Sequence, residues 1–290
     1  MPLLAFPNFS EGRDEARIAR LASSLAGAET LDLHSDAVHN RTAVTLAGEE
    51  GELGAALVAG AEAAIAEIDM NGHEGAHPCV GALDVCAVVW LAPEQREAAT
   101  ALALETAAAI GALGVPVFLY GDLASRDERR ERFFYRRGGL AELRRRMASG
   151  ELVPDEGPAE PHATAGATLV TARRPLVAFN VELDTGDVDV AASIAADLRE
   201  SGGGLPGVRA LGLPVDGGRS QVSTNIHDPD SVPLATVVER VRELAAAHGA
   251  APLVAELVGL APRAALAGYP EDVPIAGFDP ARHVIENRLG

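Results

Sequence analysis

Apolar positions along this chain follow a strand period and a helix period in turn, and the same succession occurs twice. Residues 3–6 form a short apolar run, residues 13–25 carry apolar side chains at helical spacing, and 29–33 and 42–46 alternate as half-buried strands do. An alanine-rich helical stretch at 54–68, an apolar run at 85–91, a helix at 93–110 and a strand at 115–120 follow. The order βαββαβ is a split-βαβ, ferredoxin-like arrangement, lengthened here by one more helix and strand. The second half repeats it with strand 176–181, helix 188–200, strands 208–213 and 221–226, helix 234–248 and strand 253–257. Ala5-Phe6 leads towards Asn8 and Ala178-Phe179 to Asn180, a faint echo of duplication.

Between the halves, residues 149–164 contain Gly150, Pro154, Gly157, Pro158 and Pro161, the composition of a connector. The boundary is placed near Arg174, giving an N-terminal subdomain 1–174 and a C-terminal subdomain 175–290. The expected fold is α+β: two ferredoxin-like (βαββαβ-type) subdomains whose sheets face each other across a cleft, where small ligands usually bind.

Composition narrows the chemistry. A net charge of −18 opposes nucleic acid and anionic membranes as partners, and no signal peptide or membrane span is evident. Cys79 and Cys86 are the only cysteines, too few for a disulfide framework, which predicts a reduced, cytoplasmic setting. All 24 basic side chains are arginine, so Schiff-base lysine chemistry and a phosphate-binding P-loop are excluded. From Arg126 to Arg146 nine arginines accompany four acids, interrupted by Phe133, Phe134 and Tyr135. This run reads as a solvated helical face with intrahelical Glu–Arg pairs, or as a guide for a polyanionic tail. Gly202-Gly203-Gly204 follows a helix and precedes a strand, the wrong placement for a dinucleotide loop.

The most informative stretch is Asn71-Gly72-His73-Glu74-Gly75-Ala76-His77-Pro78-Cys79, followed by Gly81-Ala82-Leu83-Asp84-Val85. His73 to His77 has the H-E-x-x-H form of a zinc protease, which works only on a helix that brings both imidazoles to one face. Asn71-Gly72, Gly75 and Pro78 all oppose a helix, so no metal site is expected.

With Pro7-Asn8-Phe9-Ser10-Glu11-Gly12, Asn40-Arg41-Thr42, Phe118-Leu119-Tyr120-Gly121, Gly157-Pro158, Gly166-Ala167-Thr168, Gln221-Val222-Ser223-Thr224-Asn225 and Leu257-Val258-Gly259-Leu260, this stretch forms a colinear series across nearly the whole chain. The series resembles the glutamate formimidoyltransferases, the folate-dependent transferase half of formimidoyltransferase-cyclodeaminase. The resemblance implies transfer of a formimino group from N-formimino-L-glutamate to N5 of tetrahydrofolate in histidine degradation. Tetrahydrofolate, including polyglutamylated forms, would be co-substrate, and a homodimer and a separate cyclodeaminase would be partners. A related one-carbon or formyl transferase with another amino-acid donor, or a silent folate-binding protein, stands as the alternative.

The resemblance places the catalytic general acid/base at His77, the histidine before proline, with His73, Asp84, Asp36 and His39 as possible support. In vertebrate relatives an aspartate stands at the position of His34, so Asp36 is the carboxylate expected to steady the imidazole. Asn8, Ser10, Glu11, Asn40 and Arg41 are expected at the substrate, Arg41 as a carboxylate clamp and Ser10 otherwise as a helix N-cap. Gly157, Pro158, His162, Thr164, Gly166, Gln221 and Asn225 are expected at folate. Two departures stand out: Cys79 replaces an arginine common in relatives, and Ala165 replaces a tryptophan that could stack on folate.

Overall fold

The computed structural model describes residues 2–76, 78–215 and 217–289, which form two compact units, Met1–Arg173 and Arg174–Gly290. His77 lies outside the described residues.

The first unit contains β1 (Leu3–Phe9), α1 (Glu15–Ser24), β2 (Glu29–Asp36), β3 (Arg41–Gly48), α2 (Glu50–Glu67), β4 (Leu83–Val89), α3 (Arg96–Ala112), β5 (Val117–Leu119), α4 (Arg132–Arg136), α5 (Gly139–Ala148) and β6 (Thr168–Arg173). Its six-stranded sheet runs β2-β3-β1-β4-β6-β5. The first four strands pair antiparallel, and β6 pairs parallel with both β4 and β5. Leu3, Ala5 and Phe9 of β1 turn to one face, where they join Leu21, Leu53, Leu57 and Ala61 of α1 and α2 in the main core. Asp14 caps α1 by accepting the Arg17 N–H at 3.0 Å.

All seven residues of β4 are buried, the pattern of a strand covered on both faces. The second cover is α4 and α5, whose Tyr135, Leu143 and Met147 pack with Val85, Ala87 and Leu169. This corrects the reading of 126–146 as a solvated face. Phe133 is 74 % exposed, but Tyr135 is buried and Arg146 only 1 % exposed. The Arg146 guanidinium bonds Glu151 at 2.9 Å and the Phe134 carbonyl at 2.6 Å, and lies 4.5 Å over the Phe134 ring. Strand β6, absent from the sequence reading, is a second correction. Because β6 returns to the first sheet, the 149–164 segment is a loop within the first unit. Asp155 accepts the Leu119 N–H at 2.8 Å and ties that loop to β5.

The second unit is β7 (Val177–Leu183), α6 (Val188–Leu198), β8 (Val208–Val215), β9 (Arg219–Ile226), α7 (Leu234–Ala246) and β10 (Pro252–Val258), with two short helices, α8 (Pro280–His283) and α9 (Ile285–Arg288), after it. Its antiparallel sheet runs β10-β7-β9-β8. Relative to its own first strand, this order equals β4-β1-β3-β2, so the ferredoxin-like pattern occurs twice. Val177, Phe179, Val181 and Leu183 face α6 and α7. Asn180 therefore points to the helix-free face, as Asn8 points away from α1 and α2.

No described helix is long and apolar enough to cross a membrane.

Two glycines test the packing with opposite signs. A Cβ on Gly81 would lie 1.8 Å from the Ala167 carbonyl oxygen, whereas one on Gly51 in α2 meets nothing within 4 Å. Gly81→Ala is expected to destabilise the chain by about 1–3 kcal/mol, and Gly51→Ala to stabilise it by about 0.5–1 kcal/mol. Urea unfolding monitored by circular dichroism reads both.

Candidate functional site

Three loops converge beside the ends of β1, β3 and β4. The register of β1 against β4 slips at Asn8/Phe9, where Asn8 pairs with Val85 and Phe9 with Leu83. Asp84 is the extra residue of this bulge. Strict alternation would have sent Asp84 away from its neighbours. Instead its carboxylate is 3 % exposed, accepts the Val80 N–H at 2.7 Å and pairs with Arg136 of α4. Asp84 thus shapes the loop that follows His77 and anchors α4.

Ser10 and Glu11 are buried just beyond β1. Ser10 donates its hydroxyl to the Gly81 carbonyl at 2.7 Å, and its N–H reaches Ala82 O at 2.9 Å. The helix cap is Asp14, so Ser10 serves the loop instead. Glu11 Oε1 accepts the N–H groups of Arg13 and Asp14 at 2.9 and 3.0 Å, while Oε2 pairs with Arg17. Burial by itself would raise the Glu11 pKa, but these two amides and the Arg17 guanidinium hold it below its ordinary 4.5.

Residues 73–76 are not helical, so the H-E-x-x-H spacing carries none of its zinc-protease geometry. Among the described residues, no group of three or more His, Cys, Asp or Glu is placed to hold a metal ion. The segment lies against the β2–β3 turn. Ala76 N–H donates to Val38 O at 3.1 Å, and Asn40 contacts both His73 and Glu74. Burial pushes the His73 pKa down, with Glu11 and Asp84 opposing the shift and Arg13 adding to it.

Asp36, expected to steady the catalytic imidazole, closes its own turn. Oδ1 accepts the N–H groups of Val38 and His39, and Oδ2 lies 2.6 Å from His39 Nδ1. Burial opposes ionisation of Asp36, yet the His39 amide and ring and the Val38 amide lower its pKa overall. His34 is exposed on β2.

Arg41 is half-buried and forms no hydrogen bond or ion pair with any described side chain. Burial lowers its pKa, and the charges of Arg132 and Arg136 lower it further, against Asp36 and Asp84. Arg136 pairs with Asp84, and Arg41 is close enough to feel both charges. Arg132 and Arg136 escaped the sequence reading, although aromatic residues inside an arginine-rich run were a signal that part of the run is buried. Cys79 is half-buried beside Asp84, Arg136 and the Ser10 hydroxyl. Burial and the Asp84 charge push its thiol up to about 11, despite the lowering effects of Ser10 and Arg136.

The expected folate segment divides in two. Gly157 packs beside Val115, Pro116 and Gly111 at the end of α3, with Pro158 exposed next to it. His162 and Thr164 lie beside the 69–71 turn instead: Met70 N–H donates to Thr164 O at 2.8 Å, and Asn71 to Ala163 O at 2.9 Å. His162 Nδ1 accepts the Ala165 N–H at 3.0 Å, so its neutral ring carries the proton on Nε2. Gly166 bridges Gly81. In the second unit, Gln221 and Asn225 lie on the helix-free face of β9, and the Asn180 amide donates to Glu256 at 2.9 Å.

Residues 3–173 match the family model described as the formiminotransferase domain, N-terminal subdomain, and residues 178–269 match that of the formiminotransferase domain. The chain belongs to the formiminotransferase family. It is 37 % identical to a glutamate formimidoyltransferase of Streptococcus pyogenes serotype M1, over 98 % of this chain and 97 % of that protein. A protein of the same name from Thermoplasma acidophilum is 34 % identical over 98 % and 95 %. The formimidoyltransferase-cyclodeaminase of Sus scrofa is 35 % identical over 90 % of this chain and 50 % of its own length.

Two variants probe these contacts. Asp84→Asn should cost about 3–5 kcal/mol, because it leaves the nearly buried Arg136 guanidinium without its counter-charge; a chemical unfolding midpoint measures this. Since the folded pKa of Glu11 is depressed, its contribution is present above about pH 4.5 and lost as pH falls through the folded value. The stability gap between wild type and Glu11→Gln should therefore be largest near neutrality and shrink progressively as pH falls below the ordinary carboxylate range, read from urea midpoints across the acid limb.

Proposed function

We propose that this chain transfers the formimino group of N-formimino-L-glutamate to N5 of tetrahydrofolate, the one-carbon step of histidine degradation. The observation that carries this reading is the near-full-length similarity to proteins named glutamate formimidoyltransferase.

In the reaction, N5 attacks the amidine carbon and forms the new C–N bond. The tetrahedral intermediate then expels the glutamate nitrogen, breaking the old one. One proton must leave N5 and one must reach the departing nitrogen, so that glutamate departs with a neutral amine. A histidine with an ordinary pKa near 6.5 suits both transfers. The family resemblance assigns that shuttle to His77; its sequence neighbour Ala76 bonds to the β2–β3 turn, and Asp84 holds Val80 of the loop that follows. Arg41, lacking a counter-ion of its own, takes a substrate carboxylate, with Arg132 and Arg136 making the surroundings favourable to anions. The same cationic face suits the polyglutamyl tail of folate. His162 offers Nε2–H to the folate, and Gly166, Thr164, Gln221, Asn225, Gly157 and Pro158 keep their folate assignment on resemblance alone. The protein acts in the cytoplasm as a homodimer, and a separate cyclodeaminase consumes its product.

Incubation of the purified protein with tetrahydrofolate and formiminoglutamate should release glutamate and give the methenyl compound on acid cyclisation. Folate binding without turnover would support a silent binding protein, and turnover only with a formyl donor would overturn the formimino assignment. His77→Ala should lower kcat by about 10²–10⁴-fold with folate affinity largely kept. Arg41→Ala should act mainly on the KM for formiminoglutamate.

A further inference from the structure

Among the described residues, Asn40 is the only non-glycine with positive φ, at +50°. Left-handed backbone is costly for most L-residues and mildest for asparagine. Asn40 is also buried, so its amide must find partners inside the protein. It finds three. Oδ1 accepts the Gly12 N–H at 2.9 Å, and Nδ2 lies 2.9 Å from Glu74 O and 3.4 Å from His73 Nδ1.

The amide can adopt only one orientation. The Gly12 N–H requires an acceptor and the Glu74 carbonyl requires a donor, so oxygen and nitrogen cannot be exchanged. Because the amide nitrogen only donates, the His73 Nδ1 that faces it must be an acceptor. The ring is then neutral with its proton on Nε2. Nε2 is buried without a hydrogen-bond partner.

The backbone beneath reinforces the contact. A Cβ on Gly75 would come within 2.4 Å of the His39 carbonyl oxygen and 2.9 Å of the Asn40 side chain. Only glycine allows the 73–76 segment to approach the turn closely enough for the Asn40 amide and the Val38 carbonyl to hold it. Resemblance placed Asn40 at the substrate, but its amide is engaged within the protein.

We infer that Asn40 is a positioning residue: it clamps the segment leading into His77 to the β2–β3 turn and holds His73 in the neutral Nε2–H tautomer, which excludes His73 as a second proton carrier. The kinetic consequence rests on the transferase reading above; the tautomer does not.

The test compares wild type, Asn40→Gly and Asn40→Asp. Glycine keeps the left-handed backbone without strain but removes all three hydrogen bonds. Aspartate keeps the acceptor for Gly12, loses the donor and places a carboxylate among the charged groups already around His73, namely Glu11, Arg13 and Asp84. Nitrogen-15 NMR of the histidines at neutral pH should show wild-type His73 neutral with its proton on Nε2. Asn40→Gly should give a tautomer mixture, and Asn40→Asp a His73 that gains a proton nearer neutrality. With tetrahydrofolate and formiminoglutamate, Asn40→Gly should lose about 10–100-fold in kcat, with folate KM changed by less than about threefold.

A wild-type His73 protonated on Nδ1, or a tautomer unchanged in folded Asn40→Gly, would overturn the inference. So would a kcat loss no larger than the loss of folded protein. If wild type shows the stated tautomer but no turnover, the assigned reaction fails and the clamp on His73 stands.

Discussion

The buried Asp84 carboxylate is the contact on which the organisation of the first unit depends. It sits in a bulge of β4, where one oxygen receives the Val80 N–H and the other receives Arg136 from α4. Without the extra residue, the carboxylate could not reach both groups. One ion therefore fixes the loop between Pro78 and Gly81, the docking of α4, and the position of an arginine beside Cys79. An ion pair this deeply buried is weak evidence for net stability compared with an apolar alternative, but removing one partner strands the other charge in the interior.

Around that carboxylate the protein maintains a local reversal of its overall charge. The chain carries −18, yet Arg41 feels the charges of Arg132 and Arg136 as well as those of Asp36 and Asp84. Glu11 and Asp36, close in sequence to the same loops, have their oxygens engaged by backbone amides, Arg17 and His39. Acids in this region stabilise turns, and the guanidinium of Arg41 forms no hydrogen bond or ion pair with a described side chain. The absence of lysine favours this division, since guanidinium stays charged under desolvation that would neutralise an amine.

Much of this was legible in the order of apolar residues. Both βαββαβ successions follow from strand and helix periods that agree with the turns between them. The non-helical 73–76 segment follows from Asn71-Gly72, Gly75 and Pro78. Strand β6 was not legible because Thr168, Thr171 and Arg173 interrupt its apolar run. Its burial works only because Thr171 donates to the Tyr120 carbonyl at 2.8 Å, a partner 51 residues away. Arg146 misled for a related reason: an arginine reads as solvated until its carboxylate, carbonyl and aromatic partners are known. The role of Asp84 was hidden by the bulge, since a single slip in pairing reverses the face on which a side chain falls. Asn40 appeared as part of a motif; asparagine tolerates left-handed backbone, but the residue type alone does not require it there.

The insertion of β6 between β4 and β5 sets the order in which the first unit can be completed. The β2-β3-β1-β4 portion involves residues up to Val89 and can close its ladders early, while β5 has its strand partner only in β6, whose residues come some fifty positions later. During synthesis on the ribosome, β5 must wait for its partner, and β4 presents an open edge until residues 168–173 emerge. Such an edge is a template for wrong pairing. The closing strand is also the last segment of its unit, so the nascent chain passes through its most aggregation-prone interval just before the first unit is sealed.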